Sequence, residues 1–144
     1  MAPKLENRVV VRFRDGTIAR GTTIDFSPAR SHFHLNDGPF THDIGLASLK
    51  ALFFVRDFNG NPEYDERKGF FSRQNNGKKV MVEFTDGEIL FGYTLNYSPQ
   101  GFGFFVFPGD PSSNNEKIFV IHASTRSVKL CSLATAFPQP PLPR

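Results

Sequence analysis

The sequence has no tryptophan, two methionines and one cysteine, Cys131. A lone cysteine rules out an intramolecular disulfide and any zinc site built from several thiolates. It also fits a reducing compartment, so a cytoplasmic protein is expected. No apolar run approaches the ~20 residues that span a bilayer as a helix, and no charged segment followed by an apolar one opens the chain as a secretory signal would. No amphipathic pattern runs longer than a helical turn or two. Glycine-rich phosphate loops, nucleophile elbows and His-Glu-x-x-His motifs are missing as well, so no catalysis and no cofactor are expected.

Phenylalanine supplies the bulk instead, with 17 residues in a chain of 144. The sequence also states one pattern twice. Val9-x-Val11-x-Phe13-x-Asp15-Gly16-x-Ile18-x-x-Gly21-x-Thr23-x-x-Phe26-Ser27-Pro28 returns, 71 residues later and without a gap, from Val80 to Pro99. A duplication of this kind means two copies of one small unit. Val9, Val11 and Phe13 alternate with Arg8, Val10, Arg12 and Arg14, as in a strand with one buried face. Asp15-Gly16 closes a tight hairpin, and its equivalent is Asp86-Gly87. Each Asp is explained by capping its own turn, so the pair carries no acid–base reading. Gly21 and Gly92 sit inside the second strand of each copy, where glycine marks a bulge or bend.

Five strands are expected per copy. In the first they run from Arg8, over Thr17–Phe26, His32–Leu35, Thr41–Leu46 and Leu49–Phe58. In the second they are Lys79–Thr85, Glu88–Tyr97, Phe102–Phe107, Lys117–His122 and Thr125–Leu130. The organisation expected is a first repeat over 1–56, a linker over 57–78, a second repeat over 79–133 and a Pro-rich tail over 134–144. Tyr64, Phe70 and Phe71 indicate that the linker packs against something. One unit of this size has a marginal core, so the two copies are expected to touch. The fold class read from this is all-β, with two tandem five-stranded barrels packed together. A single merged β structure from both copies is the other arrangement open to it.

The spacing Asp15-Gly16-x4-Gly21-x4-Phe26, repeated at Gly87, Gly92 and Tyr97, resembles the first half of the Sm motif. That resemblance implies small SH3-like or Sm-like barrels; proteins of that type bind RNA and usually assemble as rings. The chain departs from the pattern at Ser27 and Ser98, where the motif has Asp. It departs again at Ser48-Leu49-Lys50-Ala51 and Ser124-Thr125-Arg126-Ser127, where the motif has a basic residue followed by Gly. The resemblance therefore speaks for the barrel more than for an RNA site. Phe54-Val55-Arg56-Asp57-Phe58-x-Gly60-Asn61-Pro62-x-Tyr64 and Ser113-Asn114-Asn115-Glu116-x-Ile118-Phe119-Val120 are similar to an uncharacterised bacterial family with this duplicated unit, which implies no known activity.

The net charge of +3 lies entirely in the first copy, where residues 1–56 hold eight Lys/Arg against five Asp/Glu. Arg8, Arg12 and Arg14 fall on one strand face and Arg20 across the hairpin, an arrangement that can hold phosphates. The plainer reading is a solvated face paired with Asp25 or Asp43. Phe102, Phe105 and Phe107 belong to a strand apolar on both faces, which is either central between layers or at an interface. His32, His34 and His42 lack a carboxylate or thiol at ligand spacing, and no metal site is expected. Cys131 and His122 lie on consecutive strands without an orienting group, so no nucleophile is assigned. The function expected is a non-catalytic binding or scaffolding module that engages a protein partner or a second copy of itself. The alternative is binding of RNA or another nucleic acid through Arg8, Arg12, Arg14 and Arg20, and a regulatory nucleotide site on the same arginines is a weaker one.

Overall fold

The computed structural model describes residues 6–60, 64–71 and 77–131, with the backbone alone at Cys131. The Pro-rich tail and the Cys131 side chain lie outside the described residues. Ten strands follow one another: β1 Asn7–Phe13, β2 Ile18–Thr23, β3 His32–Asn36, β4 Thr41–Gly45, β5 Leu49–Val55, β6 Lys78–Phe84, β7 Ile89–Thr94, β8 Gly103–Pro108, β9 Asn115–Ile121 and β10 Thr125–Cys131. A single 3-10 turn, Leu46–Ser48 or His122–Ser124, joins the fourth and fifth strands of each copy. All ten expected strands are present. The second strands stop earlier than expected, and β2 gives way to Asp25, whose Oδ1 accepts the Thr23 hydroxyl at 3.2 Å and the His34 amide at 2.9 Å.

The hairpins form as their sequence dictates. Gly16 and Gly87 take φ of 92° and 94°, values that glycine reaches without steric cost. Asp15 Oδ1 accepts the Thr17 amide at 2.9 Å, and Asp86 Oδ1 accepts the Glu88 amide at 3.0 Å. Gly21 and Gly92 serve another purpose. A Cβ at Gly21 would stand 2.3 Å from the Asn36 carbonyl oxygen, and one at Gly92 2.3 Å from that of Phe107. Glycine lets the third strand cross close over the second. Gly21→Ala and Gly92→Ala are each expected to cost about 1–3 kcal/mol in urea unfolding, the range for forcing extra atoms into packed space. A cost near zero at both would contradict this close crossing.

The strands form one open antiparallel sheet in the order β10-β6-β7-β8-β9-β5-β1-β2-β3-β4. This corrects the expectation of two closed barrels. Within each copy the fifth strand pairs the first, but the fourth and fifth strands of a copy do not meet. β5 pairs instead with β9 of the other copy, with Ala51 opposite Val120, Leu52 opposite Phe119 and Phe53 opposite Ile118. The reason lies in β5 itself. Leu49-Lys50-Ala51-Leu52-Phe53-Phe54-Val55 is buried along nearly its whole length, and a strand apolar on both faces needs cover on both.

Two cores lie on opposite faces of this sheet. Leu52 and Phe54 of β5 join Phe119 and Ile121 of β9 in the first, with Val9, Val11, Phe33 and Leu35. Ala51 of β5 joins Ile118 and Val120 of β9 in the second, with Val80, Val82, Phe84 and Val106. Each copy thus completes the other's core through the two central strands. Lys50 adds a polar tie. Its side chain is 10% exposed, its Nζ lies 2.7 Å from Asp86 Oδ2 and also reaches Glu88, and it sits 4.7 Å from the centre of the Phe84 ring.

Candidate functional site

The outer face of β1 and β2 runs on across β5 and β9. Arg20 stands opposite Val10, Val10 opposite Phe53, and Phe53 opposite Ile118. Partners in register share a face of the sheet, so these four residues make one row. β7 approaches this row from the second copy, and the Glu66–Lys68 segment of the linker meets it from a third side. Together they enclose a cleft of about 390 Å³, lined also by Arg12, Glu88, Phe91, Asn114 and Asn115.

Four cations, Arg12, Arg20, Arg67 and Lys68, and two carboxylates, Glu66 and Glu88, line the cleft. The Arg12 guanidinium lies 5.1 Å from the Phe53 ring centre and 3.9 Å from Glu88, with both ends of the pair well exposed. Such a pair is worth little in water, and Glu88 is already engaged by Lys50. Among the described residues the guanidinium of Arg20 and the ammonium of Lys68 have no ion pair or hydrogen bond. Burial pushes the Glu66 carboxyl up, with the Ser113 hydroxyl, which donates to it, opposing the shift.

Arg67 is anchored from behind. Its Nη2 donates to Asp110 Oδ1 at 3.2 Å and its amide to Asp110 Oδ2 at 2.8 Å, while its guanidinium stacks 4.4 Å from the Phe71 ring centre. The Tyr64 hydroxyl and the Ser112 amide also donate to Asp110. Burial alone would raise this carboxyl, but the hydrogen bonds from Arg67, Tyr64 and Ser112 outweigh it and hold Asp110 at about 2. Phe70 packs edge-on against Phe91 and Tyr93, so the described part of the linker is seated on the second copy, as its aromatic residues indicated.

The four arginines singled out from the sequence do not all converge. Arg12 and Arg20 reach the cleft. Arg8 donates from Nη1 to the Arg56 carbonyl at 2.7 Å and lines a separate depression with Glu6, Thr22 and Glu116. Arg14 lies past the end of β1, where its amide bonds the Ser48 carbonyl. The expected pairing of these arginines with Asp25 or Asp43 is not what the structure holds, because Asp25 is taken by His34 Nδ1 at 2.6 Å. His42 is bonded to Asp37, and His32 to the Ser31 hydroxyl. Among the described residues no three His, Cys, Asp or Glu gather as a metal site would require. His122 is held by the Ser98 carbonyl at 2.8 Å and lies against Tyr97 and Phe104.

Phe105 is half-buried in an aromatic cluster with Phe26, Phe54 and Phe119. Phe102 packs against the same core. Phe107 lines a shallow groove of about 300 Å³ with Pro28, Leu95 and Phe105. Lys68 and the Asp110 anchor were not singled out from the sequence. The one signal that bore on them was the apolar content of the linker, which showed that the segment packs but not what it packs against.

Fold and site together define an all-β protein of two interlocked repeats with a basic cleft between them. The chain belongs to a family of unknown function (DUF6982), which it matches over residues 5–132. No curated protein and no solved structure matches it. Among the described residues no helix is long and apolar enough to cross a membrane.

Proposed function

We propose that this protein is a non-catalytic scaffolding module that associates with further copies of itself, edge to edge. One observation carries the reading. Inside the chain, the fifth strand of the first copy pairs with the fourth strand of the second, and among the described residues this leaves without a strand partner on one side the fourth strand of the first copy, β4, and the fifth strand of the second, β10. The open edges are the repeat counterparts of the pair already joined. The same pairing applied again links chains head to tail, and this type of contact forms rings or filaments. The Sm-like resemblance, with its rings, points the same way.

The outer contact is weaker than the inner one. By the alignment of Ala47-Ser48 with Ala123-Ser124, Ser127 and Lys129 stand where Ala51 and Phe53 fill the second core. A lysine on an edge strand restrains pairing, so association is reversible and depends on concentration. Phe53 opposite Ile118 predicts Lys129 opposite His42 of the next chain. The variant His42→Cys with Lys129→Cys, in a Cys131→Ser background, is expected to form chain-to-chain disulfides on mild oxidation, and the native protein to show reversible association in sedimentation. A protein that stays monomeric at about 1 mM, where even a dissociation constant of that order would leave a large share of chains paired, and gives no cross-link defeats the proposal.

A further inference from the structure

We propose that the cleft between the repeats binds a small organic phosphate, of the mononucleotide class, at a site separate from the strand edges. Charge decides the polar part of the ligand. Arg20 and Lys68 come from different segments and converge on one cavity; neither forms a close ion pair among the described residues, although Lys68 is near enough to Glu66 to act on its carboxyl. Four lining cations face two carboxylates, Glu66 and Glu88, and Glu88 is engaged by Lys50. The surplus around the cavity is therefore positive, and guanidinium and ammonium groups together are suited to a phosphate.

Arg67 adds a second observation. Its Nε is buried and has no acceptor among the described residues, a rare state for a polar group inside a protein. Its other engagements, with Asp110, with Tyr64 and over Phe71, hold that wall of the cleft in place.

The rest of the lining fits the organic part. Phe53 and Phe91 supply aromatic surface, which a planar ring can stack on. Asn115 and the remaining lone pairs of Glu66 offer a donor and acceptors to a base or ribose, while the Asn114 amide is held by the Asp57 backbone. The volume is at the lower end of the range for small-molecule sites, and the Glu66–Lys68 segment closes one side, where a continuous strand of nucleic acid would need a through-groove.

The test titrates the full chain with adenosine, guanosine, cytidine and uridine 5′-monophosphates, with adenosine and inorganic phosphate as separate arms, by calorimetry and amide chemical shifts. At least one monophosphate is expected to bind, with shifts centred on Phe53, Phe91 and Arg20. Adenosine alone should bind at least about tenfold more weakly than its monophosphate. Arg20→Ala with Lys68→Ala should weaken binding about tenfold or more, equivalent to ~1.4 kcal/mol, without moving the melting temperature. Arg14→Ala, outside the cleft, should leave affinity unchanged. No shift at about 10 mM of any monophosphate, above the millimolar reference point of weak binding, overturns the proposal. Equal binding by inorganic phosphate overturns its organic part, and an equal loss in Arg14→Ala replaces the site with diffuse charge attraction. If single-stranded RNA binds far more tightly, with a salt dependence that counts several phosphates, the surface is a nucleic-acid groove and the mononucleotide reading fails. None of these outcomes depends on whether chains associate through β4 and β10.

Discussion

Asp110→Ala is expected to destabilise the protein by about 2–3 kcal/mol, the upper part of the range for donors that lose a buried acceptor when one of them is charged. The carboxylate is fully buried on its side chain and accepts from the Arg67 guanidinium, the Tyr64 hydroxyl and the Arg67 and Ser112 amides. Alanine leaves all of these donors without their acceptor at once, and each buried donor so stranded carries its own desolvation cost. The linker should loosen from the second copy, and amide exchange should rise over residues 64–71 before it rises in the cores. A loss below about 1 kcal/mol, the size of a surface effect, would show that Asp110 does not anchor this segment.

The same carboxylate sets an acid response. Its value of about 2 lies below the ordinary 3.8. A depressed carboxylate contributes stability that is present in full above the unfolded value and is lost as pH falls through the folded one. The difference is worth on the order of 2 kcal/mol, lost between about pH 4 and pH 2. Asp110→Asn removes the titration, so its stability should fall less steeply than that of the native chain across this window. Parallel curves for the two proteins would be the contrary result.

Phe119→Ala is expected to cost about 3–5 kcal/mol, as large-to-small changes at buried aromatic sites do, and to lower the stability of the whole chain in one transition. Phe119 is 1% exposed, lies on β9 of the second copy and packs in the first core against Phe26 and Phe105. Its neighbours Ile118 and Val120 on the same strand belong to the second core. With β5 and β9 each shared between the cores, neither copy keeps its packing when the other is lost. Urea unfolding followed by fluorescence of the tyrosines and by circular dichroism should give coincident curves before and after the substitution. Two separable transitions, only one of them shifted, would mean that the copies fold independently.

Much of the fold was legible in the sequence because its causes are local. Alternation at Val9, Val11 and Phe13 marks a strand wherever that strand pairs, and Asp15-Gly16 makes its turn from its own backbone. Gly21 and Gly92 were visible as departures from strand chemistry, although the carbonyls they admit, from Asn36 and Phe107, belong to other strands. The run from Phe102 to Phe107 announced burial on two faces, and the structure gives Phe104 and Val106 to the second core and Phe105 to the first.

The site was legible only in part. Arg12 and Arg20 were readable as a cross-hairpin group, whereas Lys68 looked like any linker lysine. Asp110 looked like a residue of the long loop Pro108–Asn115, between the expected strands Phe102–Phe107 and Lys117–His122. Its burial depends on Tyr64 and Arg67 folding back over it, and no local spacing records that approach.

By itself the sequence determined two copies, five strands in each, the hairpins between them and an all-β class. These follow from side-chain period and turn chemistry, which act over a few residues. The tertiary structure alone decided that the copies share one open sheet with a core on each face, which strands stand at its two ends, and which cations meet at the cleft. Every strand presents the same backbone donors and acceptors, so the partner of β5 is chosen by which neighbour buries both of its faces, and that choice exists only once the whole chain has come together.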